Sequence, residues 1–394
     1  MVSPLKIALL TYSTKLRGSV VHTLELATAL TELGHEVCVY ALDKDGQGFE
    51  REIPAAFQLV PAQPPPDGLD PERAIDALIR QRIQEFVDYF LAHPEPYDIY
   101  HAQDCIAANA LVQLRQQGRV SNVVRTVHHV EDYASIYLQQ CQDKSIRDPD
   151  LCLCVSDRWQ QTLRDDYGIE APKVLNGVDL RRFSPTPSGQ ENAIKARYGL
   201  SGSPIYLTVG GIEPRKNSLR LLEAFAQVLS HHPQAQLVIA GGATLFDYEP
   251  YRRSFFALAA SLEQQRGPML GKSVILPGVI PDEDLPALYR TADVFCFPST
   301  KEGWGLVVLE AIASGLPVIT ADQPPFTEFL SPDQALLVNP DSADAIAQAM
   351  VESVKPAIAQ SLVKQSRPIL AQYAWPQSAV LHVQHYLQLL NPPV

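Results

Sequence analysis

The stretch Val294-Phe295-Cys296-Phe297-Pro298-Ser299-Thr300-Lys301-Glu302-Gly303-Trp304-Gly305-Leu306-Val307-Val308-Leu309-Glu310-Ala311 decides the reading of this chain. Four β-prone apolar residues end at a proline, a polar turn with two glycines follows, and an apolar run of helical length closes the segment. A short strand that is apolar at every position is buried on both faces, the habit of parallel sheets covered by helices. Glu310 then sits in an apolar helix face, where a carboxylate needs hydroxyls or cations as partners. Helical rise limits its axial separation from Glu302 to about 12 Å. Paired carboxylates attack one glycosidic bond across about 5–10 Å, so this pair suits an elongated ligand gripped at two ends.

The same strand–turn–helix unit recurs on both sides. Upstream, Ile205–Val209 reads as a strand, Ser218–His231 as a helix and Gln236–Ala240 as a strand. Further strands are expected at Ser273–Leu276, Val318–Thr320 and Leu336–Val338. Helices are expected at Asp282–Thr291, Leu306–Ser314, Ser342–Val354 and Ala357–Tyr373. Nearer the N-terminus the strands read Lys6–Tyr12, Glu36–Leu42, Phe57–Val60, Asp98–His101, Val123–His128 and Leu151–Val155. Helices Val20–Leu33, Pro71–Ala92, Ile106–Gln117 and Ser156–Tyr167 alternate with them, with Ser156 placed to cap the last. Between the two series lie Asn176-Gly177-Val178-Asp179 and Phe183-Ser184-Pro185-Thr186-Pro187-Ser188-Gly189, the strongest linker signal in the chain. The expected fold is α/β: two Rossmann-like, doubly wound parallel-sheet domains, residues 1–176 and 177–375, facing across a cleft. Open sheets of this kind bind ligands outside the carboxyl ends of their strands, so function is sought in the loops that follow strands.

Composition narrows the partners. With 394 residues and a formal net charge of −12, the chain lacks the basic face a nucleic-acid binder needs. Met1–Leu10 has too short an apolar run for a secretory leader, and no stretch reaches the length of a membrane span. The six cysteines form no C-x-x-C pair, and Cys152-Leu153-Cys154 reads as two buried thiols, so a reducing cytoplasm is expected. No His, Cys and Asp cluster has metal-ligand spacing, so no metal is expected. Tyr251-Arg252-Arg253-Ser254-Phe255-Phe256 could touch a bilayer, but a partly buried helix explains it better. Prolines number 32, above the usual share, and stiffen connections such as Pro61–Pro66 and Pro324-Pro325.

Two loops carry further chemistry. Thr11–Ser19 follows the first strand and lacks G-x-G-x-x-G, which removes the main support for a nicotinamide enzyme. Its Gly18-Ser19, just before a helix, can present backbone N–H groups to an anion. After Val209 come Gly210-Gly211-Ile212-Glu213-Pro214-Arg215-Lys216-Asn217. Two glycines permit close backbone approach, and adjacent Arg and Lys, one a planar fork and one a point charge, suit a diphosphate.

Taken together, Glu302 with Glu310, Arg215 with Lys216, and Asn176-Gly177-Val178-Asp179 through Phe183 resemble a family 4 glycosyltransferase of GT-B architecture over essentially the whole chain. The resemblance implies a retaining, metal-independent transfer from a nucleoside diphosphate sugar, a co-substrate rather than a cofactor, to an unspecified hydroxyl acceptor. It assigns Glu302 to the transferred sugar, Glu310 to the nucleotide ribose, and Arg215 and Lys216 to the diphosphate. Gly210, Gly211, Gly303, Trp304, Gly305 and Leu306 complete the donor loops, and Gly18 the loop near the donor phosphates. His128, in Thr126-Val127-His128, is implied to lie near the reacting sugar, and His129 should face away from it. Trp375 resembles the start of the last helix, 376–392, which returns to the N-terminal domain. Gly18-Ser19 in place of paired glycines, and Asp322–Glu328 with its two prolines, depart from the family pattern. The rival readings are a nucleotide-sugar epimerase or hydrolase, and a non-catalytic nucleotide-sugar-binding protein.

Overall fold

A computed structural model describes residues 3–66, 68, 70–242, 248–267 and 269–392. Met1 and Val2 of the N-terminal stretch lie outside the described residues. The chain divides into two compact units, residues 1–177 with 375–394, and residues 178–374.

In the first unit, β1 (Lys6–Thr11), α1 (Gly18–Glu32), β2 (Glu36–Asp43), β3 (Ala56–Pro61) and α2 (Pro71–Ala92) precede β4 (Ile99–Ala102), α3 (Cys105–Gln116) and β5 (Val123–Val127). Helix α4 (Ile136–Arg147), β6 (Leu151–Cys154) and α5 (Asp157–Tyr167) complete the series. All pairings are parallel, in the order β3-β2-β1-β4-β5-β6. Ile7, Leu9 and Leu10 of β1 are fully buried, as expected of a central strand covered on both faces. Ser156 caps α5 by accepting from the Trp159 N–H at 3.3 Å, and Gly168 ends that helix in the left-handed region.

The second unit holds α6 (Glu191–Tyr198), β7 (Ile205–Val209), α7 (Ser218–Val228), β8 (Gln236–Ala240), α8 (Glu249–Arg266) and β9 (Val274–Gly278). After these come α9 (Leu285–Thr291), β10 (Val294–Phe297), α10 (Leu306–Ala313), β11 (Val318–Ala321), β12 (Leu336–Val338), α11 (Ala343–Ser353) and α12 (Pro356–Ser366). Its order, β12-β11-β10-β7-β8-β9, repeats the first sheet's. Each sheet therefore reverses direction between its first and fourth strands: β1 and β4, then β7 and β10. Crevices outside such switch points are where doubly wound sheets take ligands. Helix α13 (Trp375–Leu390) belongs to the first unit and packs on α1.

Several elements differ from the sequence reading. The segment Phe183–Gly189 belongs to the second unit: Phe183 is buried against Tyr289, with ring centroids 5.7 Å apart, and Pro185 lies against Gly315. Helices α4 and α6 have no sequence counterpart because α4 buries only Cys141, Ser145 and Ile146, and α6 only Ile194. Neither shows an apolar stripe at helical spacing. The expected helix 357–373 ends at Ser366 and continues as a 3-10 turn, Arg367–Ala371, where Pro368 supplies no N–H. Strand β5 stops at Val127, so His128 opens the loop that follows it. Tyr251–Phe256 lies within α8, with Phe255 fully buried and Phe256 exposed. Among the described residues no helix is long and apolar enough to cross a membrane.

Candidate functional site

The second unit's switch point collects the charged residues. The loop after β7 tightens into a 3-10 turn, Pro214–Lys216, ended by Asn217 in the left-handed region at φ 60°. Asparagine tolerates this conformation, and here its amide donates to the carbonyls of Pro298, at 3.1 Å, and Pro340, at 2.7 Å. Those bonds tie the β7 loop to the loop after β10. There Thr300 N–H donates to the Arg215 carbonyl at 2.8 Å.

Glu302 sits at the centre of this junction, only 9% exposed. Its Oε1 accepts from Lys216 Nζ at 2.6 Å and Arg215 NH1 at 3.1 Å, and lies 2.8 Å from Ser299 Oγ. Ser299 Oγ is also 2.7 Å from the Arg215 carbonyl, so one hydroxyl proton serves two acceptors. Arg215 Nε lies 3.0 Å from Glu213 Oε2, an ionic contact without hydrogen-bond alignment. Burial raises the Glu302 pKa, but Lys216 and Arg215 outweigh burial and hold it below the usual carboxylate range. Burial pulls Lys216 below the ordinary lysine range against the opposing pull of Glu302. Its ammonium also lies 4.5 Å from the centroid of the Phe297 ring. The two cations and Glu302, given separate tasks by the sequence reading, form one ionic group that the Glu213 carboxylate beside Arg215 brings to formal neutrality.

The glycines set how closely the loops approach. A Cβ on Gly211 would lie 2.3 Å from the Gly242 carbonyl oxygen, a backbone atom that cannot swing away. Gly305 precedes α10 at φ 105°, and a Cβ there would lie 2.7 Å from Phe326. No side chain caps α10, which leaves its first-turn N–H groups to other partners. Glu310, one turn into α10, accepts from Tyr289 OH at 2.8 Å rather than joining Glu302, and is 9% exposed. Burial and the Glu310 charge push the Tyr289 phenol well above its ordinary range. Trp304 is not a surface contact: it stacks on Phe329 at 4.8 Å, with its indole N–H buried and unpartnered. Gln323, just before Pro324-Pro325, donates to the Thr300 carbonyl at 2.7 Å, which fastens the proline-bearing loop to the Glu302 loop. Gly210 and Gly303 lie in these same loops, and Leu306 opens α10.

Gly18 and His128 belong to the first unit. Gly18 is exposed at the first position of α1. One turn on, His22 is buried with its ring edge-on to His128, centroids 4.7 Å apart. His128 is half-buried, and its Nε2 is 3.0 Å from Gln103 Oε1. His129 is exposed, with Nε2 3.0 Å from Glu131. Behind His128 lie His101, Thr126, His382 and Tyr386, all fully buried. Burial pushes His128 and His101 well below the usual histidine range, and takes His22 to about 4 and His382 to about 3. His22 Nδ1 is 2.6 Å from Asn176 Oδ1, so the first residue of the Asn176–Asp179 segment anchors α1.

Sequence reasoning passed over Ser299, Tyr289, Gln103, His22 and His101. The signal for the histidines was polar residues set within apolar runs, as in Val20-Val21-His22 and Ile99-Tyr100-His101. Ser299 and Tyr289 gave none: Tyr289 meets Glu310 of another helix, and Ser299 joins Glu302 of its own loop to the Arg215 carbonyl of a different one.

Family models match nearly the whole chain: "Glycosyltransferase Family 4" over residues 16–182 and "Glycosyl transferases group 1" over residues 190–361. Mannosylfructose-phosphate synthase of Agrobacterium fabrum is 24% identical, over 86% of this chain and 78% of its own. Phosphatidyl-myo-inositol mannosyltransferase of Mycolicibacterium smegmatis is 26% identical, over 84% of this chain and 79% of its own. The solved structure of sucrose-phosphate synthase from Thermosynechococcus elongatus superposes with a TM-score of 0.77 at 26% identity, covering 98% of this chain and 99% of that one. The two six-stranded parallel sheets, their shared strand order and these matches agree, and the chain belongs to the family 4 glycosyltransferases of GT-B fold, enzymes of sugar transfer.

Proposed function

We propose that this protein transfers a sugar from a nucleoside diphosphate sugar to a hydroxyl acceptor with retention of anomeric configuration and without an obligatory metal. The observation that carries this reading is the Arg215–Lys216–Glu302 group, built on the buried Glu302, at the β7/β10 switch point, where a diphosphate and the sugar it bears would be met together. Arg215 and Lys216 bind the diphosphate and stabilise the charge that grows on it as the glycosidic bond breaks. The first-turn N–H groups of α10 add to that field. Glu302 addresses hydroxyls of the transferred sugar, and Glu310, oriented by Tyr289, those of the ribose. The leaving diphosphate accepts the acceptor's proton on the face from which it departs. His128 is assigned to the reacting sugar by the family resemblance.

The test is a screen of UDP-, ADP- and GDP-sugars against acceptors running from sugar phosphates to phosphatidylinositol, the range that the relatives' names span. Product linkage is read by proton NMR. Expected are a product with the donor's anomeric configuration, full activity in excess chelator, and loss of transfer in Lys216→Ala and Glu302→Ala. Donor turnover unchanged in both variants would sink the assignment.

A further inference from the structure

We infer that Gln103 is a positioning residue that fixes His128 as the Nε2–H tautomer, so that His128 offers an unprotonated Nδ1 to the sugar hydroxyl it meets. The part concerning the sugar rests on the placement of His128 in the proposed function; the tautomer does not.

The argument starts from a buried chain of hydrogen bonds. His128 Nε2 lies 3.0 Å from Gln103 Oε1; with the amide in this orientation that atom only accepts, which puts the proton on Nε2. Gln103 is 1% exposed, and its amide nitrogen, which can only donate, lies 3.2 Å from His101 Nε2. That nitrogen of His101 is therefore bare, and its single lone pair also faces the Thr126 hydroxyl, 2.8 Å away. A neutral His101 then carries its proton on Nδ1 and donates it to Tyr386 OH at 2.7 Å. The order Tyr386, His101, Gln103, His128 is consistent at every link, and reversing one link reverses them all. Burial keeps both rings neutral, so neither escapes the constraint by taking a second proton. Among the described residues no group of histidines is placed to hold a metal ion, so the rings work as hydrogen-bond partners.

The relay spans the unit's architecture. His101 lies on β4 and Gln103 just after it, Thr126 lies on β5, and Tyr386 comes from α13, 285 residues on from His101. Helix α13 thus supplies the far end of a relay whose near end is His128. No protein partner meets His128 Nδ1 among the described residues, and this edge of the half-buried ring is not fully enclosed. A bare Nδ1 accepts a hydroxyl proton, whereas a protonated one would present a donor.

The test uses the full chain with ring-15N histidine and long-range proton–nitrogen correlation between pH 6 and 9, with the His128 signals identified by their loss in His128→Asn. Wild type is expected to show His128 as Nε2–H at every pH. Gln103→Met, which keeps the shape and removes both bonds, is expected to give averaged tautomers. Tyr386→Phe removes the acceptor at the far end. His101 then shifts its proton to Nε2, the Gln103 amide turns, and His128 moves toward Nδ1–H. An Nδ1–H His128 in wild type, or a fixed tautomer that survives Gln103→Met, overturns the inference. In transfer assays Gln103→Met is expected to lower kcat about tenfold or more with donor KM within about twofold. Unchanged kcat alongside altered tautomers would keep the relay and refute the placement of His128 at the sugar.

Discussion

Replacing Glu302 with Gln should tighten the binding of a bare nucleoside diphosphate while it slows transfer. In the free protein Oε1 of Glu302 is 2.6 Å from Lys216 Nζ and 3.1 Å from Arg215 NH1, so the carboxylate occupies the two cations assigned to phosphate. A phosphate oxygen held about 2.8 Å from Lys216 Nζ can lie no farther than about 5.4 Å from Oε1. At an effective dielectric near 20 that separation gives about 3 kcal/mol of repulsion per unit charge. Arg215 is 36% exposed, so screening and side-chain movement reduce it to about 1–2 kcal/mol, or a 5- to 30-fold change in Kd. Glutamine keeps the shape and the contact with Ser299 but removes that repulsion. It also leaves two clustered cations with Glu213 as the counter-charge that remains, at a cost of about 1–3 kcal/mol in stability. Titration calorimetry with UDP, GDP and ADP measures the first effect, and thermal unfolding in the absence of nucleotide the second. Diphosphate binding that is weaker or unchanged in Glu302→Gln refutes the self-neutralised site.

Acid should unfold the first unit early. His22 and His382, with pKa values of about 4 and about 3, would each titrate near 6.5 when unfolded, so the unfolded chain binds more protons as the pH falls. The stability tied to their neutral forms is complete above pH 6.5 and is lost progressively below it. At pH 5 the two together cost about 4 kcal/mol, and a urea midpoint that stays level from pH 7.5 to 5 contradicts this. Tyr289→Phe removes the phenol that donates to Glu310 at 2.8 Å; about 1–3 kcal/mol of stability should go, with a raised donor KM, and a silent substitution in both assays would deny Glu310 that orienting partner. Gly211→Ala places a methyl 2.3 Å from the Gly242 carbonyl oxygen, so the β7 and β8 loops must part; a loss of at least about 2 kcal/mol and of transfer is expected, and a fully active, fully stable variant excludes the close approach.

The all-apolar strands, the helices between them and the loops that end in Glu302 and Arg215-Lys216 were legible because each depends on neighbours in sequence. An apolar run and a glycine turn specify a buried strand and its exit whatever the rest of the chain does. Helices α4 and α6 were not legible, because each buries too few residues for a period to show. The packing role of Phe183–Gly189 was not legible for a related reason: proline, serine and glycine mark a bend, and only packing against Tyr289 and Gly315 shows what the bend serves.

The sequence alone therefore determined the α/β class, the doubly wound pattern and the acidic and basic residues at the site, through local propensity, period and charge. Tertiary structure alone decided that Lys216 and Arg215 share the Glu302 carboxylate and that Glu310 turns to Tyr289. It also decided that His128 is held by a residue near the end of β4 and, through it, by α13. The physical reason is that burial makes an ionisable or hydrogen-bonding group depend on whichever partner the fold brings within about 3 Å, and that partner can be 285 residues away, as Tyr386 is from His101.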